Sequence, residues 1–375
     1  MTQGLRVALV HDWLTGMRGG ERCLEVFCEL FPDADLFTLL HVPGSVSPLI
    51  ERRRIVTSFL QRLPGAAERY RYYLPLFPAA MRSFDFAGYD LVLSSSHAVA
   101  KAARRAPGAT HVCYCFTPMR YVWDRYEDYF GEGAPLAMRA LMPPLAAALR
   151  RWDRRTSRRI DQVVAISRFV AARIRRVWGR EADVIYPPVD VARFTIADHG
   201  PDDFYLVVSA LVPYKRVDLA VSAATRMGRR LVVVGAGPEA RRLRALAGPS
   251  VEFLGWRDDA EVAALYARCR AVLFPSVEDF GIVPLEAMAA GRPVVAFGVG
   301  GATETVTGLD AAGDDAPTGV FFREQRVDAV MHAMAELETH LARFEPKALR
   351  ARAETFDRPL FRARIAAYLA GAVGC

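Results

Sequence analysis

Two glutamates, Glu278 and Glu286, close the two ends of the run Glu278-Asp279-Phe280-Gly281-Ile282-Val283-Pro284-Leu285-Glu286. The run follows an apolar strand pattern, Ala271-Val272-Leu273-Phe274-Pro275, and leads into a small-residue helix pattern. Gly281 therefore sits where strand gives way to helix. The first N–H groups of a helix lack internal partners, so those around Gly281, Ile282 and Val283 point at whatever anion or hydroxyl-rich ligand lies there. With a helix beginning near Phe280, Glu278 lies in the preceding loop and Glu286 about two turns on. Carboxylates accept from sugar hydroxyls and free N–H groups donate to phosphate oxygens, and a nucleotide sugar offers both. The competing reading makes Glu278 a helix cap and Glu286 a solvated helix residue.

Other residues suit the same ligand. Lys215 and Arg216 follow a strand pattern at 204–209 and carry the charge that a departing diphosphate needs. Gly19 and Gly20 lie after the first apolar run and before a helix starting near Glu21, where backbone can approach an anion closely. Gly235-Ala236-Gly237-Pro238-Glu239-Ala240 also follows a strand and opens a helix, which by itself resembles a dinucleotide fingerprint. A dinucleotide site wants an acidic residue at the end of the next strand, whereas Glu252 precedes Phe253 and Leu254 and falls near its start. A nicotinamide-dependent oxidoreductase thus rests on that one glycine motif.

The segment from Glu278 to Ala296 resembles the E-x7-E signature of the retaining glycosyltransferases of family 4, which have the two-domain GT-B fold. The resemblance continues through Leu211-Val212-Pro213-Tyr214-Lys215-Arg216-Val217-Asp218, Val234-Gly235-Ala236-Gly237-Pro238 and Tyr186-Pro187-Pro188-Val189-Asp190. In the first half, Val10-His11-Asp12-Trp13-Leu14, Gly19-Gly20-Glu21 and Thr117-Pro118-Met119-Arg120-Tyr121-Val122-Trp123-Asp124 resemble the mannosyltransferases of bacterial O-antigen and capsule assembly. Nearly the whole chain is covered.

The resemblance implies transfer of a hexose, mannose from GDP-mannose, to a lipid-linked or oligosaccharide acceptor in cell-surface polysaccharide synthesis. It implies a front-face substitution. No metal is expected, on the reading that an Asp-x-Asp metal motif is lacking, and no cofactor beyond the donor. By it, Glu286 holds the ribose, Glu278 the transferred sugar, Lys215 and Arg216 the diphosphate, and Gly281, Ile282 and Val283 the donor at the helix start. Gly235, Gly237 and Leu254 hold the base; Gly19 and Gly20 face the phosphate and acceptor.

Two positions depart from the family pattern. Ala210 stands where an arginine is usual, five residues before Lys215, and Phe116 where a histidine usually precedes Thr117-Pro118. Arg216 is the substitute at hand for the first, and His97, in Ser94-Ser95-Ser96-His97, for the second. His11, followed by Asp12 and Trp13, is a further candidate. A sugar-nucleotide epimerase of the same fold and a catalytically silent scaffold remain as alternatives.

These residues need a scaffold. A chain of 375 residues exceeds what one core usually serves, and both halves alternate strand and helix patterns, predicting two doubly wound parallel sheets. The expected layout is an acceptor-binding domain at 1–185, a hinge at 186–203, a nucleotide-sugar domain at 204–356, and a C-terminal helix at 357–375 crossing back to the first domain. Ligands in such folds bind outside the carboxyl ends of the strands, so a cleft at the hinge is expected. Predicted helices include Glu21–Phe31, Leu136–Arg159, Val217–Met227 and Pro284–Ala290.

The net charge of +7 is unevenly spread: residues 1–185 hold 27 Lys and Arg against 18 Asp and Glu. Arg150, Arg151, Arg154, Arg155, Arg158 and Arg159 cluster, and Arg69, Arg71 and Arg82 flank an aromatic stretch. Basic residues beside aromatic ones fit an anionic membrane surface, while no nucleic-acid module pattern occurs. No apolar run reaches membrane-spanning length, which predicts a cytoplasmic protein, peripheral on the inner face of the membrane. The six cysteines are scattered without metal-ligand spacing and read as reduced and mostly buried.

Overall fold

A computed structural model of the chain describes residues 4–131, 136–310 and 316–374. It divides into two compact units, one of residues 1–188 with 361–375 and one of residues 189–360. The segment 186–203 is shared between them.

The first unit is built on a seven-stranded parallel sheet. Its strands are β1 (Val7–His11), β2 (Asp35–Thr38), β3 (Ile55–Thr57), β4 (Leu91–Ser96), β5 (Thr110–Cys115), β6 (Gln162–Ala165) and β7 (Asp183–Val184). They lie in the order β3-β2-β1-β4-β5-β6-β7. The second unit carries six parallel strands, β8 (Tyr205–Val208), β9 (Leu231–Val234), β10 (Val251–Gly255), β11 (Ala271–Phe274), β12 (Val294–Phe297) and β13 (Gly319–Phe322), in the order β10-β9-β8-β11-β12-β13. Strands of a parallel sheet are covered on both faces and so read as unbroken apolar runs. Leu231-Val232-Val233-Val234 and Val294-Val295-Ala296-Phe297 are buried throughout.

Each sheet has one topological switch point, where the strand order turns from one direction to the other. In the first unit it lies between β1 and β4; in the second, between β8 and β11. The loops leaving those four strands carry Asp12, His97, Lys215 and Glu278.

The helices bury stripes at helical spacing. Gly19–Leu30 presents Cys23, Leu24, Val26, Phe27 and Cys28 to the core. In Arg358–Ala372, Phe361 packs on Phe27 and Tyr114 of the first unit, with ring centroids 6.0 and 5.6 Å away. Cys23, Cys28, Cys113, Cys115 and Cys269 are buried free thiols, and Cys375 lies outside the described residues. Among the described residues no helix is long and apolar enough to cross a membrane.

Several predicted boundaries move. The helix expected at Glu21 already starts at Gly19, and the long helix ends at Ser157 rather than Arg159. The helix expected from Phe280 starts at Ile282, because Gly281 takes a left-handed backbone, φ 106°, and Glu278 pairs in an isolated bridge with Gly300. Glu286 consequently stands about one turn into the helix, not two.

Candidate functional site

In the second unit, Lys215 ends a short turn after β8 and Glu278 stands in the loop after β11, so both leave the switch point of the sheet. The Lys215 ammonium donates to Glu278 Oε1 at 2.5 Å. The two side chains are 22% and 14% exposed, mostly removed from water yet not sealed from it. In that setting the attraction between unlike charges exceeds its value in bulk water. Glu278 is held from behind as well, since Gly301 N–H donates to its carbonyl oxygen at 2.8 Å.

Arg216 has partners within its own unit. It is the sole non-glycine residue with positive φ among the described residues, at 50°. Its guanidinium is engaged with both carboxylate oxygens of Asp218, at 3.2 and 3.3 Å, and with Gln325 Oε1 at 3.5 Å. Gln325 in turn donates to the Pro275 carbonyl at 2.8 Å, which ties the arginine to the end of β11. The arrangement fixes the turn that presents Lys215.

Gly281, buried, caps the helix Ile282–Ala289, and Ile282 and Val283 supply its first N–H groups. Glu286 projects from the same helix, and its Oε2 accepts from the Tyr266 hydroxyl at 3.0 Å. Tyr266 is fully buried in the neighbouring helix Asp259–Arg268; burial and the adjacent Glu286 raise its hydroxyl pKa well above the ordinary value. The hydroxyl therefore stays a donor and anchors one oxygen of Glu286, a partnership that sequence spacing does not disclose.

The glycine turn after β9 packs backbone on backbone. A Cβ at Gly235 would fall 1.8 Å from the Ser209 carbonyl oxygen, and one at Gly237 2.2 Å from that of Leu211. Gly235 N–H donates to the Gly255 carbonyl at 2.8 Å, joining this turn to the end of β10, where Leu254 is half-buried. Glu252 is the second residue of β10, exposed and 3.4 Å from Arg230, away from the carboxyl end where a dinucleotide's ribose would need it.

In the first unit, Asp12 and His97 leave the switch point from β1 and β4. The Asp12 carboxylate is wholly buried and accepts four backbone N–H groups: His97 and Ala98 at 2.6 and 2.9 Å on one oxygen, Val99 and Ala100 at 2.6 and 2.7 Å on the other. The same carboxylate lies 3.2 Å from His97 Nδ1. A histidine whose Nδ1 faces a carboxylate presents Nε2 to a ligand. Its neighbours desolvate the ring and lower its pKa against the pull of Asp12, with His11 and Arg120 adding to the lowering and Glu21 opposing it.

His11 is nearly inaccessible. Its Nδ1 lies 2.7 Å from Ser95 Oγ and its Nε2 3.6 Å from Glu21 Oε1. Burial pushes the Glu21 carboxyl up, but His11 outweighs it and holds the group below its ordinary value. Phe116 lies edge-on to His11, its centroid 6.3 Å away, and is 6.4 Å from the His97 ring; a Cβ on Gly20 would touch it at 3.3 Å. Phe116, Gly20, His11 and His97 are thus one packed cluster at the start of the helix Gly19–Leu30. One Asp-x-Asp triplet does occur, Asp33-Ala34-Asp35, but Asp35 is engaged by the Tyr89 hydroxyl and by Arg54.

The comparisons agree with this layout. Residues 17–193 match the family described as Glycosyltransferase Family 4, and residues 203–340 match Glycosyl transferases group 1. The chain is 33% identical over 259 residues to the GDP-mannose-dependent alpha-(1-6)-phosphatidylinositol monomannoside mannosyltransferase of Mycobacterium tuberculosis, which covers 56% of this chain and 66% of that enzyme. It is 34% identical over 143 residues to the O-antigen chain mannosyltransferase C of Escherichia coli, covering 36% of this chain and 37% of that protein. The matches thus span less than two thirds of these relatives' lengths.

Among solved structures, sucrose-phosphate synthase from Thermosynechococcus elongatus superposes with a TM-score of 0.72 at 18% identity, over 97% of this chain and 98% of that one. Anabaena Alr3699/HepE in complex with UDP-glucose gives 0.71 at 19% identity, over 97% and 99%. These likenesses speak for the fold. With two parallel-sheet α/β units, GT-B structural neighbours and family matches over most of its length, the chain belongs to glycosyltransferase family 4 and has the GT-B fold.

Proposed function

We propose that the chain is a retaining hexosyltransferase that moves mannose from GDP-mannose to a lipid-linked or oligosaccharide acceptor in cell-surface polysaccharide synthesis. The observation that carries the reading is the Lys215–Glu278 pair at the switch point of the second sheet, beside the helix that starts at Gly281. The names of the mannosyltransferase relatives support the choice of sugar and donor.

In this reading the donor diphosphate draws Lys215 away from Glu278 and lies at the N–H groups of Ile282 and Val283. Glu278, freed, accepts from hydroxyls of the transferred sugar, while Glu286, held by Tyr266, accepts from the ribose. The bond from the sugar's anomeric carbon to the phosphate oxygen breaks, and the acceptor oxygen bonds to that carbon on the same face. The departing phosphate oxygen takes the acceptor's proton. Stabilisation of the leaving diphosphate, rather than a protein acid, lowers the barrier. By the family resemblance, His97, whose Nδ1 faces Asp12, is the first unit's candidate for the part that a histidine at the Phe116 position plays in the family.

An anionic membrane surface is the place where a lipid-linked acceptor is met. The helix Leu136–Ser157 exposes Leu136 (81%) and Leu141 (70%) in its first half and Arg151, Arg154 and Arg155 in its second. Tyr72 is 75% exposed beside Arg69 and Arg71. Apolar and basic side chains together suit a surface of anionic lipid.

The test is transfer from GDP-mannose to bacterial lipid extract, followed by GDP release and proton NMR of the product. An α-mannosyl product is expected. Release of a β-product, or a C2-epimerised nucleotide sugar without transfer, contradicts the reading.

A further inference from the structure

Lys101 and Asp153 form an ion pair sealed inside the first unit, the ammonium nitrogen 2.8 Å from Asp153 Oδ1 and the side chains 1% and 0% exposed. Taking two charges out of water is costly, and an apolar pair of the same volume often holds a core together as well, so stability alone does not account for them. Their partners are specific. Thr156 Oγ1 accepts from the ammonium at 3.0 Å, and the rings of Trp152 and Trp178 lie 5.0 and 5.1 Å from it. The other carboxylate oxygen, Asp153 Oδ2, accepts from the indole N–H of Trp123 at 2.9 Å and from that of Trp178 at 2.6 Å.

These groups come from separate segments. Lys101 stands in the short turn Ala100–Ala102 after β4, Trp123 in the loop after β5, Asp153 near the end of the helix Leu136–Ser157, and Trp178 at the end of the helix Arg168–Trp178. The turn after β4 is the one that carries His97. Asp12 holds its first part by the N–H groups of residues 97 to 100, and Asp153 holds its far end through Lys101. The loop after β5 opens with Phe116, whose ring lies 6.4 Å from that of His97. One buried carboxylate therefore grips both segments that flank the histidine. It does so by charge-assisted hydrogen bonds, which are directional, where apolar packing tolerates substitution.

Resting on the part given to His97 in the proposed function, we infer that Lys101 and Asp153 are positioning residues for the reaction, setting where His97 stands relative to the loop that begins at Phe116. Sealed from solvent, they touch no substrate and act through the histidine.

The experiment compares the full chain with K101M, D153N, the double variant K101M/D153N, H97A and a control, F86L, whose ring packs on Phe37 ahead of β4. Each is measured for Tm, for transfer from GDP-mannose to bacterial lipid extract, and for the His97 ring signal in NMR of histidine-labelled protein, identified by its loss in H97A. Each single substitution in the pair strands one buried charge and should lower Tm. The double variant is neutral there, its amide oxygen still accepts from the indoles, and its Tm should return toward the wild-type value. Its kcat should nevertheless stay roughly tenfold to a hundredfold down, with donor KM unchanged and the His97 signal moved. F86L should lower Tm and leave kcat and that signal alone. Wild-type kcat or an unmoved His97 signal in the double variant overturns the positioning role, as does an equal loss of kcat in F86L. Turnover untouched by H97A overturns the His97 reading and this one together; turnover lost in H97A but kept in the double variant overturns this one alone.

Discussion

The Asp12 carboxylate, at the end of β1, lies 3.2 Å from Nδ1 of His97, which leaves β4, and accepts the backbone N–H of the same residue at 2.6 Å. One buried anion therefore fixes both the turn that carries the histidine and the face that the ring presents. The two roles separate by mutation. His97→Ala removes the ring and leaves the four backbone hydrogen bonds to Asp12 in place, so kcat should fall while Tm stays within a degree or two. Asp12→Asn replaces an acceptor of four N–H groups by an amide that presents N–H donors of its own, and should cost about 1–3 kcal/mol or more of stability. If His97→Ala unfolds the protein or leaves turnover untouched, the histidine is structural.

Glu286→Ala should raise the donor KM and lower kcat/KM by on the order of tenfold to a hundredfold, the loss of one hydrogen bond to a charged group of about 1.5–3 kcal/mol. Tyr266→Phe keeps the carboxylate but frees the oxygen that the hydroxyl holds at 3.0 Å, and a smaller rise in donor KM is expected. Steady-state kinetics with varied donor distinguish the two. Unchanged donor KM in Glu286→Ala contradicts the ribose assignment.

How much of this was open to reading from the sequence depends on how local each cause is. Leu231-Val232-Val233-Val234 announces a buried strand by itself, and Lys215 and Glu278 stand in runs whose neighbours mark them. β3, three half-buried residues, and β13, which begins at Gly319, carry too little apolar pattern to be read as strands. The helix start at Ile282 depended on the positive φ of Gly281 and on the bridge from Glu278 to Gly300, a contact 22 residues away that periodicity does not contain. Arg216 reads as a free cation in sequence and is committed to Asp218 in space. The four N–H groups on Asp12 come from residues 85 to 88 positions further on, and the Tyr266–Glu286 pair crosses between helices. Partnerships of that kind are set by strand order, which no single segment encodes.

Replacing Gly235 by alanine tests whether the turn after β9 needs bare backbone. Its φ of 135° is strained for an L side chain, and the added Cβ would meet the Ser209 carbonyl at 1.8 Å. Strain of about 1–3 kcal/mol is expected before the clash is counted, so denaturant midpoints should fall markedly. A midpoint equal to the wild type's would mean that the turn rearranges freely.

Acid should weaken the first unit above the range where carboxylates titrate. His111 is fully buried, with Nε2 2.8 Å from Ser94 Oγ, and burial pushes its pKa down to about 3; Asp161 opposes the shift without overcoming it. The unfolded chain takes up this proton near pH 6.5 and the folded chain does not. The unfolded state thus binds more protons between those values, and stability present above about pH 6.5 is lost as pH falls toward 3. His97, lowered as well, acts in the same direction. Urea midpoints measured from pH 7.5 to 5 should decline, and His111→Gln should flatten the decline. A profile unchanged by that substitution contradicts the assignment.

The central claim is that the Lys215–Glu278 pair receives the diphosphate and sugar of a nucleotide sugar, and calorimetric titration of GDP-mannose tests it most directly. The wild type should bind GDP-mannose in preference to UDP-, ADP- and dTDP-sugars. Lys215→Ala should weaken both GDP-mannose and GDP, while Glu278→Gln should weaken GDP-mannose more than GDP, because only the former carries the sugar. Binding of GDP-mannose that neither substitution alters, or no binding of any nucleotide sugar by the wild type, contradicts the account.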